Sequence, residues 1–211
     1  VLERARRGGA VLWCVAILVL VARTSSAGTI TTFLTEFTGD PLTVQLTLDD
    51  MSAGAGKIEV SLAVVGGAQA DLRGVFMNIA DDSLLPGLSV TGDDVTSWDF
   101  SGNVIDLGHG SNLNGGGTPC PCDFGIEIGS QGLGSDDIAS TSFVLSHDTQ
   151  ALSLSLFAGQ GVGVRATSVG VNGNREGSSK TVALIPEPST AVLLLAGLCA
   201  IGAAPRLRSQ R

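Results

Sequence analysis

The sequence has no tyrosine, two tryptophans and seven phenylalanines among 211 residues, and only 15% of them are charged. So few aromatics leave little material for the flat ring platforms on which sugars stack. Trp98 and the phenylalanines, most at alternating positions, read as core. Cations are scarcer still away from the ends. Between Gly28 and Ile185 there are five (Lys57, Arg73, Arg165, Arg175 and Lys180) against 18 acidic residues, a balance of −13 where the whole chain carries −8. That sign excludes nucleic acid, whose phosphates call for clustered Lys and Arg. Histidine occurs twice, as His109 and His147, and no serine lies in a nucleophile-elbow pattern. Ser146-His147-Asp148 are chain neighbours, whereas a triad is a spatial arrangement, so the reading is not an enzyme and no catalytic residue is assigned. A chain that is 44% hydrophobic is not a disordered polar one either.

Both ends carry apolar runs, and both runs are short. Arg4, Arg6 and Arg7 precede the 13 residues Ala10 to Ala22, and Arg23-Thr24-Ser25-Ser26-Ala27 follows. A basic start, a short apolar stretch and small residues at Ser25 and Ala27 describe a secretory signal peptide over 1–27, cleaved after Ala27. A membrane span needs roughly 20 apolar residues, which favours cleavage over anchoring. Val1 fits a non-Met start codon or a truncated chain. At the other end Pro186-Glu187-Pro188 forms a stiff extended segment, because each proline fixes its own φ and biases its predecessor away from helix. Ser189 or Thr190 then caps an apolar helix over Ala191 to Ala204, which includes Leu193, Leu194, Leu195, Leu198 and Ile201. Its 14 residues cross a membrane only where the bilayer thins. Arg206, Arg208 and Arg211 form a basic stop that keeps the C-terminus cytoplasmic and the body outside.

Pro186-Glu187-Pro188-Ser189-Thr190, the Leu/Ala/Gly-rich helix and the arginine cluster, in that order at the chain end, resemble the PEP-CTERM sorting signal. The basic tail departs from the usual tighter arginine run, being broken by Pro205, Leu207, Ser209 and Gln210. The resemblance covers about 25 residues, 185–211 at its widest. It implies a Gram-negative host that makes extracellular polysaccharide, and processing by an exosortase, with this chain as substrate. The implied route runs through the inner membrane, with transient anchoring, to the cell surface or the extracellular matrix. Extracellular polysaccharide is the ligand that this association suggests.

The exported body, 28–184, is dominated by period-two alternation. Val44, Leu46 and Leu48 share one face, as do Ile58, Val60, Leu62 and Val64. Val75-Met77-Ile79, Leu152-Leu154-Leu156 and Thr167-Val169-Val171 repeat the pattern. Half-buried strands alternate this way. Turn signals separate them at Gly39-Asp40-Pro41, Gly54-Ala55-Gly56, Gly66-Gly67, Pro86-Gly87, Gly92-Asp93-Asp94 and Gly159-Gln160-Gly161. Asn172-Gly173 is a tight-turn signal with a weak strand after it. Eight to ten short strands without helical periodicity predict an all-β antiparallel sandwich of jelly-roll type. Two glycine-rich stretches, Gly108 to Cys122 and Gly129 to Asp137, read as loops. The phrase Asp71 to Ile79, DLRGVFMNI, resembles segments in the bodies of other PEP-CTERM proteins and implies no chemistry.

Two groups of candidate site residues remain. Cys120 and Cys122 are the cysteines left after export, and an oxidising compartment favours a disulfide, local or to another chain, over a metal site. Four aspartate pairs at or beside predicted turns (Asp49-Asp50, Asp81-Asp82, Asp93-Asp94 and Asp136-Asp137) offer hard oxygen ligands for calcium, the last three above all, although aspartate is also an ordinary turn residue. The expectation is therefore a structural or adhesive, non-catalytic body without cofactor; the alternative is a calcium-dependent module binding polysaccharide or protein.

Overall fold

The computed structural model describes residues 28–115, 121–130 and 137–187. Outside the described residues lie the signal peptide with Ser25 and Ala27, Cys120, Asp136, Pro188, the apolar run and the basic stop. The strands are β1 (Thr29–Gly39), β2 (Thr43–Asp49), β3 (Ile58–Val65), β4 (Gln69–Met77), β5 (Leu88–Thr91), β6 (Val95–Asp99), β7 (Phe124–Ile128), β8 (Ser140–His147), β9 (Gly161–Gly170) and β10 (Gly177–Leu184). All pair antiparallel in a single sheet of order β5-β8-β3-β2-β1-β10-β9-β4-β7-β6.

The all-β antiparallel expectation holds, but two separate facing sheets do not form. One ladder runs through all ten strands, and its edge strands β5 and β6 touch across the turn at Gly92–Asp94. The sheet thus curls almost into a barrel. Strand twist drives such curling, and near-closure leaves only two short edges exposed to other chains. One core fills the interior. Val44, Leu46 and Leu48 of β2, Ile58, Val60 and Leu62 of β3, and Phe124, Ile126 and Ile128 of β7 all face into it.

Three expectations need correction. Leu152-Leu154-Leu156 is not a strand: Leu154–Leu156 is a 3-10 turn, and its segment caps one end of the barrel through Leu152 N–H to Gly56 O and Ala80 N–H to Leu156 O. Alternation there reports which leucines are buried, not that their backbone pairs. The segment after Asn172-Gly173 is a full strand, β10, at the centre of the sheet beside β1. Trp98 is 53% exposed rather than core. It stands opposite Ile126 on edge strand β6, beyond which no further strand pairs among the described residues.

The outer face of β7, β4 and β9 is also covered. Residues 101–115 and 121–123 lie across it as a strap, and Phe76, Val104, Leu113 and Cys122 bury a second, smaller cluster beneath it. Glycines make the room. A Cβ on Gly74 would collide with Ser111 Oγ, one on Gly163 would stand 2.5 Å from Leu113 Cδ1, and one on Gly125 would stand 3.1 Å from Leu107 Cδ2. The DLRGVFMNI segment is the cradle. A register shift between Leu72 and Gly74 puts both Leu72 and Val75 in the core. Ser111 Oγ donates to Arg73 O at 3.0 Å. Asn78 Oδ1 accepts from Asp123 N, and Ile79 N donates to Asp123 Oδ2.

Candidate functional site

The functional feature legible in the sequence is the chain end, and β10 positions it. The pairs Thr35↔Val182 and Gly39↔Ser179 run antiparallel, so the start of β1 lies beside the end of β10. Thr32 Oγ1 donates to Leu184 O at 3.3 Å, tying the two strands there. Leu184 is exposed, but Ile185 returns to the core at 1% exposure. Its N–H donates to Gln160 O at 2.9 Å and its carbonyl accepts Gly159 N–H at 2.8 Å. The fold therefore holds the chain through Ile185, and Pro186 and Glu187 emerge exposed directly after it. No linker intervenes between packed body and sorting motif.

The start of the body is held at the same pole. Gly28 N–H donates to Asp50 Oδ1 at 2.7 Å, and Asp50 N–H returns a bond to Gly28 O at 3.3 Å. Beside it, Asp49 Oδ1 accepts the N–H groups of Met51 and Ser52 at 2.6 and 2.9 Å. Those backbone donors hold the Asp49 carboxyl below its ordinary pKa. The sequence offers Asp50 only as one of the paired turn aspartates, and Ile185 only as the residue before the Pro-Glu-Pro motif. Asp50 looks like any turn aspartate, and only the pairing of β1 with β2 and β10 gives either residue its place.

The aspartates considered for calcium are dispersed and mostly engaged. Asp81 caps the 3-10 turn Asp82–Gly87 by accepting from Ser83 N and Oγ. Asp94 Oδ2 accepts from Thr141 Oγ1 at 2.7 Å, and Asp137 pairs with Arg175. Asp82 and Asp93 are exposed at their turns. Among the described residues no group of three or more His, Cys, Asp or Glu side chains is arranged to hold a metal ion. Cys122 is buried and disulfide-bonded, with its partner outside the described residues.

Among the described residues no nucleophile is hydrogen-bonded to a histidine. His147 Nδ1 accepts from Thr149 N and Gln150 N, the backbone of its own turn, and lies 3.0 Å from Asp148 Oδ1. Ser146 Oγ instead bonds Ser89 Oγ at 2.9 Å. His109 sits at the strap's tip with φ 48°, its Nδ1 3.6 Å from Glu127 Oε1, too far for a hydrogen bond. Glu127 is the partner of buried Arg73, its Oε1 3.4 Å from Arg73 Nη2, while Arg73 Nη1 donates to Ile128 O at 2.7 Å. A shallow cleft of about 350 Å³ between Thr96, Ser97, His109, Glu127, Gly129 and Ser130 opens there. Further along the strap, Lys180 Nζ donates to Asn112 Oδ1 and to Asn114 O. Desolvation, and then Arg165 nearby, lowers the Lys180 pKa. These contacts fasten the strap to the barrel.

Among the described residues no helix is long and apolar enough to cross a membrane. No curated protein and no solved structure matches the chain. A family model, the PEP-CTERM protein-sorting motif, matches residues 184–209, a segment that begins at the last residue of β10 and includes the docked Ile185 and the exposed Pro186 and Glu187. The chain thus carries a PEP-CTERM protein-sorting motif, which implies processing by an exosortase.

Proposed function

We propose that this chain is an exported surface or extracellular-matrix protein whose body is structural or adhesive and non-catalytic, and whose C-terminal signal is removed or exchanged by an exosortase. The observation that carries this reading is the junction at Ile185. The body is packed through that residue, the second of the matched segment, and the Pro-Glu-Pro motif begins directly after it. An exosortase acting near Pro186-Glu187-Pro188 would therefore release a domain that loses no core contact. The N-terminal segment and the sorting segment leave from one pole, on adjacent strands β1 and β10. Before processing, that pole faces the membrane. The opposite pole, with the turns at Gly39–Pro41, Gly66-Gly67 and Asn172-Gly173, faces outward.

The non-catalytic part of the reading draws support from the histidines, one bonded within its own turn and one 3.6 Å from its nearest carboxylate among the described residues. The test replaces Pro186, Glu187 and Pro188 by alanine in the full chain, in its host. The expected result is full-length protein retained in the inner-membrane fraction with a body that melts as the native one does. Unchanged delivery to the surface would contradict the reading.

A further inference from the structure

Gly28 is bonded on both sides by one residue. Its nitrogen donates to Asp50 Oδ1 at 2.7 Å, and its carbonyl accepts from Asp50 N at 3.3 Å. Strand β1 begins at the next residue, and Thr29 Oγ1 donates to Asp49 Oδ2 at 3.3 Å. Two adjacent carboxylates thus hold the start of a central strand, Asp50 at Gly28 and Asp49 at Thr29. Asp49 has its own donors in Met51 N and Ser52 N. Asp50 Oδ1 is aimed at the Gly28 nitrogen.

We infer that Asp50 is a binding site for the α-ammonium group of the mature chain. This rests on cleavage after Ala27. Hydrolysis of the Ala27–Gly28 bond adds water across it: the hydroxyl goes to the Ala27 carbonyl carbon, and the nitrogen leaves as the Gly28 amine. Below its pKa, ordinarily about 7.7–8.0, that amine is an ammonium. An amide–carboxylate hydrogen bond then becomes a charge-assisted one at the same distance, about twice as strong. The new cation offsets the repulsion between Asp49 and Asp50 in a body whose balance is −13, from 18 acidic and five basic residues. Export and folding are thereby linked: removal of the leader supplies the charge that fastens the start of β1, a strand paired on both sides by β2 and β10. Glycine at this position leaves the nitrogen unshielded by a side chain.

The test uses the full chain exported through its own leader, in four forms: native, Asp50→Asn, a Gln-Thr insertion after Ala27, and both changes together. Intact mass gives the first residue of each mature protein, and thermal melting gives stability. In the native background Asp50→Asn is expected to lower Tm by about 2–4 °C for a domain of this size. With the insertion, which moves the ammonium two residues away, the same substitution should cost less than half as much. Equal losses in both backgrounds, with the mature chain starting at Gly28, would overturn the inference while leaving the cleavage reading intact. A native mature chain starting elsewhere would overturn both.

Discussion

Single residues keep the two faces of the sheet apart in kind. Inside, Ser179 and Thr181 of β10 are fully buried, and their hydroxyls have no hydrogen-bond partner among the described residues. A buried unsatisfied hydroxyl costs about 1–3 kcal/mol, so Thr181→Val, of the same shape, should stabilise the domain by about 1 kcal/mol in urea unfolding. A loss of stability would mean that the hydroxyl has a partner. Outside, Gly74 leaves the space that Ser111 fills. Gly74→Ala should cost about 1–3 kcal/mol by overpacking, and less in a Ser111→Gly background. Equal costs in both would show that the strap does not press on Gly74. At the pole, Asp49 titrates below its ordinary value of 3.8 because Met51 and Ser52 donate to it. Its contribution is present above the unfolded value and is lost as pH falls through the folded one. Asp49→Asn should therefore melt with a shallower acid-side decline than the native protein below about pH 4. Parallel declines would contradict this.

At the scale of elements, the β9–β10 hairpin turns on Asn172 and Gly173, with φ of 54° and 85°. Two left-handed residues match the twist of the flanking strands, which is why Asn-Gly signals such a turn. Gly173→Ala should cost about 1 kcal/mol, measurable by thermal melting, since an L side chain resists that φ. No change would mean that the turn relaxes freely. This hairpin also marks the border of what the sequence discloses. Its turn is legible, as are β2 and β3, because strict alternation maps onto burial. The strand β10 is not, because GSSKTVAL puts Ser179 and Thr181 where an apolar pattern would be sought, and only its neighbours bury them. The lead-in that becomes β1 hides behind threonines in the same way. Period two assigns faces, but pairing order depends on long-range register, so a sandwich and a curled single sheet look alike from the sequence. The strap's own glycines read as loop, whereas the role of the strand glycines Gly74, Gly125 and Gly163 as room for Ser111, Leu107 and Leu113 exists only across strands.

For the whole molecule, sequence and fold speak to different parts. The sorting motif is legible because its order of motif, helix and basic tail is local, whereas the pole from which it leaves is set by pairing between residues some 150 apart, Thr35 with Val182 among them. The partners of Asp81, Asp94 and Asp137 bear on the calcium alternative. Millimolar calcium is expected to leave the body's Tm unchanged, and a rise of several degrees would restore a calcium-dependent binding role. The central claim is that the body is a complete fold ending at Ile185, released from a C-terminal signal by processing. Intact-mass measurement of the native protein recovered from the surface of its host tests this most directly. The predicted mass corresponds to a chain that retains Ile185 and has lost the apolar run 191–204 and the basic tail; a mature surface protein still carrying Arg211 would contradict it.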